Sequence, residues 1–242
     1  MSSDKRVALF VTCLVDQVMP EVGVATVRLL RRAGYEVHFP EAQSCCGQPF
    51  FNSGFRKEAR RLARRTVDVL AGEPVVVVPS GSCTTMIRHE YPHLLADEPN
   101  YYYRAQRLAA KSYELSEFLA KEAQWQPQAA EDAPSVTYHD SCHMYRILGL
   151  GAEPRQLLQQ AGCELKEMSE PDRCCGFGGL FSVRMPEVSN AMTAEKRKQG
   201  DETEANVLVS ADPGCLMQMR GWPEAQGQRV EHLSVVLEEV TR

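Results

Sequence analysis

Eight of the nine cysteines in this 242-residue chain fall into two copies of one spacing. In each copy, a single cysteine is followed 32 positions later by an adjacent pair and then a glycine. A last cysteine lies 37 positions beyond the pair in the first copy and 40 in the second. Such a repeat predicts an internal duplication with four thiols in each half. The first group is Cys13, Cys45, Cys46 and Cys83, and the second is Cys142, Cys174, Cys175 and Cys215.

Thiols grouped in this way can either form disulfides or bind a metal. Neighbouring Cα atoms lie about 3.8 Å apart across a trans peptide, whereas a disulfide needs about 4.4–6.8 Å. A bridge within the Cys45–Cys46 pair would therefore be strained, and a cytosolic protein keeps its thiols reduced. We expect metal ligands rather than disulfides.

The adjacent cysteine pairs help to distinguish a zinc site from an iron–sulfur cluster. Structural zinc sites usually use two C-x2-C knuckles, and neither half contains one. Adjacent side chains of an extended chain point to opposite sides, so both thiols reach one centre only at a turn or around a large centre. Gly47 and Gly176 permit the turn, and an iron–sulfur cluster is the larger target. Zinc stays an alternative, as does a phosphate loop at "GFGG" (176–179), which lacks the P-loop lysine.

Each cysteine group follows a predicted strand. Apolar or alternating runs predict strands, and 3.6-residue patterns predict amphipathic helices. The predicted strands are 6–12, 35–39 and 75–78 in the first half and 135–139 and 205–210 in the second, where an extended stretch also leads to the second pair. The predicted helices are 20–33, 55–71, 104–122, 153–162, 187–199 and a last one through Leu233 and Val240.

This order predicts an α/β fold of two tandem, pseudo-symmetric β-α-β-α-β repeats with mostly parallel sheets. We place the first repeat at 1–123 and the second at 134–242. The stretch 124–133 lacks periodicity and contains a proline, so it is the predicted linker. Ligands of open α/β sheets bind beyond the carboxyl ends of the strands, which is where each cysteine group is expected.

Composition limits the classes of function. The hydrophobic fraction is 43% and the net charge is −5, so no global positive field favours nucleic acid. The apolar runs are too short to span a bilayer, and the N-terminal stretch lacks a cleavage-site pattern, so we expect a cytoplasmic protein. No GxGxxG, flavin or Ser-His-Asp pattern is present. We therefore expect no NAD binding and no catalytic residue, and interpret the chain as a non-autonomous subunit of an oxidoreductase complex.

The motifs resemble those of a known family. The stretches "ALFVTCLVDQVMP", "SCCGQP", "PSGSCTTMI", "YHDSCHM", "CCGFGGLFSV" and "ADPGCLMQ" resemble the cysteine-rich CCG-domain proteins over nearly the whole chain. That family includes a subunit of heterodisulfide reductase and the iron–sulfur subunits of glycolate and glycerol-3-phosphate oxidising enzymes. The nearest resemblance is to the lactate utilisation protein A family of short, stand-alone members.

The resemblance implies iron–sulfur binding and electron transfer in an L-lactate oxidising (lactate to pyruvate) system. It also implies protein partners, one of them a second iron–sulfur protein. The alternatives are a subunit of a heterodisulfide reductase-like or glycolate/glycerol-3-phosphate oxidising complex, or a zinc-binding structural protein. The family's noncubane members use a fifth cysteine three positions before the last one, where this chain has Ser80 and Asp212. We therefore expect conventional [4Fe–4S] clusters, one or two per chain, with the eight repeated cysteines as ligands.

Three further residues lie close to the pattern. Cys163 has no counterpart in the repeat and is expected to be a small buried hydrophobe. His139 and His143 flank Cys142. Because four thiols already complete a ligand set, we expect these histidines to be polar neighbours that adjust potential or carry protons rather than ligands.

Overall fold

Each half of the chain builds one four-stranded sheet in which all strands run parallel. The computed structural model describes residues 5–222 and 227–241, and the chain divides into two compact units, Met1–Ala123 and Gln124–Arg242. The strand order is β2-β1-β3-β4 in the first unit and β6-β5-β7-β8 in the second. The strands are β1 (Arg6–Leu9), β2 (Glu36–His38), β3 (Val76–Val78), β4 (Ser112–Glu114), β5 (Ser135–Tyr138), β6 (Glu164–Leu165), β7 (Val207–Ser210) and β8 (Arg229–His232). The predicted α/β class with two similar, parallel-sheet halves is confirmed.

Helices connect the strands in both units. The first unit contains α1 (Cys13–Val18), α2 (Pro20–Arg32), α3 (Gln48–Asn52), α4 (Arg56–Leu70), α5 (Gly81–Thr85), α6 (Tyr91–Leu94), α7 (Pro99–Ala109) and α8 (Leu115–Glu117). The second contains α9 (Ala152–Gln160), α10 (Leu180–Arg184), α11 (Pro186–Asp201), α12 (Pro213–Arg220) and α13 (Leu233–Val240). Short π-helical segments occupy Met86–Glu90, Phe118–Glu122 and His143–Ile147. No helix among the described residues is long and apolar enough to cross a membrane.

The core of the first unit shows why these elements form. Val76, Val77 and Val78 of β3 are fully buried, as expected for a parallel strand covered on both faces. One face of α4, through Ala59 and Ala63, packs into the same cluster as the strand. The opposite face carries the helix's arginines, so the amphipathic pattern of the sequence corresponds to one buried and one solvated side.

The structure corrects one helix and adds two strands. The helix predicted over 104–122 is wrong: α7 ends at Ala109, and β4 occupies Ser112–Glu114 before the chain becomes helical again. A fourth strand, β8, likewise completes the second sheet. Each sheet thus has one strand more than the predicted repeat contained.

The strand order defines where a ligand of each sheet is expected. In each sheet the first strand lies in the middle, with the second strand on one side and the third on the other. The connection after the first strand runs to one side of it and the connection after the second strand crosses to the other side, which defines a topological switch point between the first and third strands. The proposed linker, 124–133, contains no helix or strand, and its boundaries stay a prediction.

Candidate metal centres

In the first unit, three strand ends deliver four thiols to one region. Cys13 follows β1 as the first residue of α1, Cys45 and Cys46 follow β2, and Cys83 follows β3 within α5. The Cys13 Sγ lies 3.5 Å from the Cys45 Sγ. The Cys46 Sγ lies 3.2 Å from the Cys83 Sγ. The four predicted ligands of this half therefore form two close pairs at the switch point of the sheet.

The second unit repeats this placement at the ends of β5, β6 and β7. Cys174 and Cys175 interact through their thiols, and Cys175 does the same with Cys215 at the start of α12. The Cys142 Sγ lies 3.6 Å from Nδ1 of His143. It interacts electrostatically with Cys174.

Each site has a buried side and a half-buried side. In the first unit, Cys46 and Cys83 are buried, whereas Cys13 and Cys45 are partly exposed. In the second unit, Cys175 and Cys215 are buried, whereas Cys142 and Cys174 are partly exposed. A group held by either set would have one edge in the protein interior and one edge near solvent.

The glycine after each cysteine pair makes the turn. Gly47 and Gly176 have φ values of 91° and 90°, in the left-handed region. The Gly47 amide nitrogen lies 3.4 Å from the Cys45 Sγ, and the Gly176 amide nitrogen lies 3.5 Å from the Cys174 Sγ. Each amide donates toward a cysteine sulfur, an interaction that tunes iron–sulfur groups. The predicted turn is present in both copies.

Hydroxyl and carboxylate side chains lie at the N-termini of the helices that carry cysteines. Thr12 caps α1 by accepting the Val15 N–H at 3.3 Å. Ser80 caps α5 by accepting the N–H of Cys83 itself, also at 3.3 Å. Ser80, which stands where the noncubane members have a fifth cysteine, thus fixes the backbone of a predicted ligand. Asp212 holds the matching position before α12 and accepts a hydrogen bond from Ser141.

The thiols shift one another's pKa values. Hydrogen bonds from Cys13 and Cys46 lower the pKa of Cys45 to about 3. The same contacts raise the pKa of Cys13 and that of Cys46, so these two hold their protons. A hydrogen bond with Cys175 likewise raises the pKa of Cys174. Only the thiolate binds metal, so metal binding at these sites must displace protons.

The donor set can be compared with the two kinds of metal group. Four thiolates around one zinc ion, each at about 2.3 Å, would place every pair of sulfur atoms about 3.8 Å apart. Among the described residues, the only set of three or more Cys, His, Asp or Glu donors lying within 4.8 Å of one another is His139, Cys175 and Cys215. The first unit's thiols thus form an open chain of contacts, Cys13–Cys45–Cys46–Cys83, in which no three sulfur atoms lie within 4.8 Å of one another, and not a closed tetrahedron. That arrangement fits a larger, multi-iron group bound at several points.

His139 is the site residue whose place the sequence does not reveal. Its side chain is fully buried, and neither ring nitrogen makes a hydrogen bond of ordinary geometry. Burial and the nearby Lys196 ammonium lower its pKa to about 3, so the ring is neutral. A position-by-position comparison of the two halves could have found the difference, because Phe10 stands at the same place before Cys13.

Cys163 lies outside both groups. It is buried, and burial raises its pKa to about 11, so it stays a protonated thiol at neutral pH. This agrees with the expectation of a small buried hydrophobe and makes Cys163 a natural control for substitutions at the other eight positions.

Comparison with known proteins gives consistent results. The model of the cysteine-rich CCG domain matches residues 7–88 and 136–220, one match in each unit. Proteins called lactate utilization protein A from Halalkalibacterium halodurans, Bacillus velezensis and Bacillus subtilis are 45%, 46% and 45% identical to this chain over 235 residues. Those matches cover 96% of this chain and 96%, 98% and 98% of the relatives.

A solved structure shares the fold. The crystal structure of a hypothetical protein from Helicobacter pylori superposes with a TM-score of 0.71 at 11% sequence identity. The superposition covers 99% of this chain and 49% of that one, so this chain spans about half its length. At this identity the likeness concerns the fold alone.

Proposed function

The chain belongs to the cysteine-rich CCG-domain family, and from that membership we propose that it is an iron–sulfur electron-transfer component of a lactate-oxidising system. The relatives named lactate utilization protein A support a role in lactate utilisation. The observation that carries the iron–sulfur part is the spacing of the thiols. No three of the four thiols Cys13, Cys45, Cys46 and Cys83 lie within 4.8 Å of one another, so they do not form the closed tetrahedron of a single ion and suit a larger, multi-iron group.

The proposed ligands of one group are Cys13, Cys45, Cys46 and Cys83, and those of the other are Cys142, Cys174, Cys175 and Cys215. Bound iron–sulfur groups, proposed as [4Fe–4S], would accept and release single electrons. The protein's own contribution is to hold the thiolates, to direct the Gly47 and Gly176 amides at sulfur, and to exclude water from the buried pairs.

The half-buried pairs support exchange of electrons with other proteins. The partly exposed Cys13 and Cys45, and likewise Cys142 and Cys174, would bring one edge of each group near solvent. We propose that the partners are the other proteins of a lactate-oxidising complex, one of them a second iron–sulfur protein. The chain itself would then be a subunit that carries electrons and leaves the chemistry on lactate to another component.

The first test is a metal count on the full chain. Protein purified without oxygen and reconstituted with iron and sulfide should contain about four irons and four sulfides per occupied site, with an EPR signal on reduction. Zinc without acid-labile sulfide would contradict the proposal and favour a structural zinc protein.

The second test compares two buried cysteines, one inside a proposed site and one outside both sites. Cys175→Ser should abolish or shift one EPR signal, and it should fail to restore growth on lactate to a strain whose native gene has been deleted. Cys163→Ser changes a buried thiol outside both groups and should leave iron content, spectrum and growth unchanged. Equal behaviour of the two variants would reject the ligand assignment.

A further inference from the structure

The two candidate sites differ at one buried backbone position. In the first unit the Phe10 N–H donates to the Val77 carbonyl at 2.9 Å, and in the second the His139 N–H donates to the Val209 carbonyl at 2.8 Å. Both residues stand three positions before the first cysteine of their group, and both side chains are fully buried. The fold thus places a hydrocarbon ring beside one site and an imidazole beside the other.

Burying the His139 imidazole with a ring nitrogen that lacks a partner is costly. The Pro171 carbonyl is close enough to act as an acceptor for one ring nitrogen of His139, and no group of the described chain is a partner for the other. A polar group buried without a partner is destabilising by the full desolvation penalty of that group. Native proteins rarely keep such a group without a reason, and a bound ligand is one of the recognised reasons.

The ring nitrogens have suitable neighbours for metal binding. A donor atom of His139 and the Sγ atoms of Cys175 and Cys215 all lie within 4.8 Å of one another. Neutral imidazole nitrogen is a common metal ligand, and iron–sulfur groups accept it in place of thiolate. The first unit has no equivalent donor, because Phe10 fills the position.

A buried cation strengthens the contrast between the units. The Lys196 Nζ donates to the Glu170 carbonyl at 2.5 Å and lies 3.3 Å from the Met168 Sδ. It acts electrostatically on both His139 and Cys175. Counted from the first cysteine of each pair, the position of Lys196 in α11 corresponds to the apolar Val67 in α4.

We infer that His139 takes the place of Cys142 as a ligand of the group held by Cys174, Cys175 and Cys215, which revises the four-thiolate assignment for this site. Cys142 is the member of its group whose Sγ contacts His143 and is not hydrogen-bonded to another of the described thiols. The second site is then a mixed cysteine–histidine site and the first is all-thiolate. This inference rests on the proposed iron–sulfur function. A neutral nitrogen in place of a negative thiolate makes added electrons less unfavourable, as does the nearby ammonium of Lys196. The second site should therefore have the higher reduction potential of the two.

The test labels histidine alone. Full-length protein carrying 15N-histidine in an otherwise unlabelled background would be reconstituted with iron and sulfide without oxygen, reduced, and measured by pulsed EPR. We expect 15N coupling on one of the two signals. His139→Phe, which introduces the residue of the first unit, should remove that coupling and lower the midpoint potential of the same signal. His143→Gln, beside Cys142, is the control and should keep the coupling.

Each outcome decides the inference. The 15N coupling in the unsubstituted protein can be measured even if His139→Phe fails to fold. Absence of this coupling in iron-loaded protein overturns the inference about His139 but not the proposed function. Coupling that survives in His139→Phe, or disappears in His143→Gln, overturns it as well. Protein that takes up no iron or sulfide overturns the proposed function, and the inference with it.

Discussion

The glycine that follows the second cysteine pair determines how closely the next long helix can approach. A Cβ at Gly176 would lie 2.4 Å from the Ser189 carbonyl oxygen and 2.8 Å from the Thr193 hydroxyl. The Thr193 hydroxyl in turn donates to the Cys175 carbonyl at 2.9 Å. The same turn therefore fixes the backbone of a predicted ligand against α11.

Alanine at position 176 should be far more damaging than alanine at another left-handed glycine. Gly54 has a φ of 84° and nothing within 4 Å of its would-be Cβ, so Gly54→Ala tests the backbone strain alone. We expect it to cost about 1–2 kcal/mol. Gly176→Ala should cost about 1–3 kcal/mol more, because backbone atoms must move. Urea denaturation of both variants measures this, and equal losses would contradict the close approach.

A buried carboxyl in the first unit should make folding stability depend on pH. Burial raises the pKa of Glu114 to about 7 from an ordinary 4.5, although its Oε2 accepts the Ser116 N–H at 2.7 Å. The folded protein therefore keeps this proton to higher pH than the unfolded chain does. The contribution is fully present below about pH 4.5 and is lost as the pH rises through about 7. It amounts to roughly 3 kcal/mol, at about 1.4 kcal/mol for each pKa unit.

Glu114→Gln should remove this dependence, since the amide oxygen can still accept the hydrogen bond but cannot ionise. Relative to the unsubstituted protein, the variant should gain stability between pH 4.5 and 7 and keep that gain above pH 7. Denaturation midpoints measured at intervals of about one pH unit across and above this range give the difference. Glu41→Gln changes an exposed side chain, and its denaturation midpoints should show the same pH dependence as those of the unsubstituted protein across this range. A Glu114→Gln curve parallel to both would show that the carboxyl ionises normally.

At the scale of elements, an ion-pair network positions the loops that carry cysteines in the second unit. Arg155 of α9 binds both oxygens of Asp140, at 2.8 and 2.9 Å, and also contacts Glu167. The Asp140 N–H donates to the Pro171 carbonyl at 2.9 Å. One arginine therefore connects the loop before Cys142 with the segment that leads to the second cysteine pair.

Arg155→Met should destabilise the second unit strongly. Only 3% of the Asp140 side chain is exposed, and the substitution leaves its charge buried without a partner. We expect a loss of about 3–5 kcal/mol in thermal or denaturant unfolding. The Arg146–Asp172 pair is mostly exposed, so Arg146→Met should cost no more than about 1 kcal/mol. Similar losses for the two variants would argue against the network's role.

The elements also show how far the sequence can be interpreted. The long amphipathic helices and apolar strands are predictable, because burial on one face or on both leaves a clear pattern, as in α4 and β3. Strand β4 escapes prediction because its three residues, "SYE", are too few to show alternation, and because its neighbours are helical. The short π-helical segments have no periodicity of their own to detect.

The candidate sites are only partly predictable from the sequence. Spacing alone locates the eight cysteines and the glycine turns, because both are repeated. The role of Ser80 as a helix cap is not predictable, since a serine near a cysteine pattern is equally compatible with a lost ligand. Cysteine spacing does not single out His139, and the sequence shows only that Phe10 holds the same position in the first half. Its burial and its closeness to Cys175 and Cys215 become visible in the structure alone.

At the scale of the whole molecule, metal binding and folding should be coupled. The proposed ligands of each site come from three separate strand ends, so the unfolded chain offers no preformed site. A ligand present at about 100 times its dissociation constant stabilises the folded state by about 2.7 kcal/mol. At about 2–4 °C per kcal/mol for a chain of this size, reconstitution should raise Tm by roughly 5–11 °C.

Differential scanning calorimetry without oxygen, before and after removal of the metal, checks this coupling. Cys46→Ser should lose part of the stabilisation, and Cys163→Ser should keep all of it. A Tm that does not respond to metal removal would mean that the thiols are not ligands of a tightly bound group.

The separate construction of the two sheets has a consequence for how the protein is made. The last cysteine of the first group is residue 83, and the sheet that holds the group ends at Glu114, before any cysteine of the second group. Ribosomes add about 5–20 residues per second, and domains fold as they emerge. Because Cys215 follows Cys83 by 132 residues, the first thiol set is complete roughly 7–26 s before the second. If the proposed groups bind, we therefore expect the amino-terminal thiol set to be available for loading first, while the rest of the chain is still being translated.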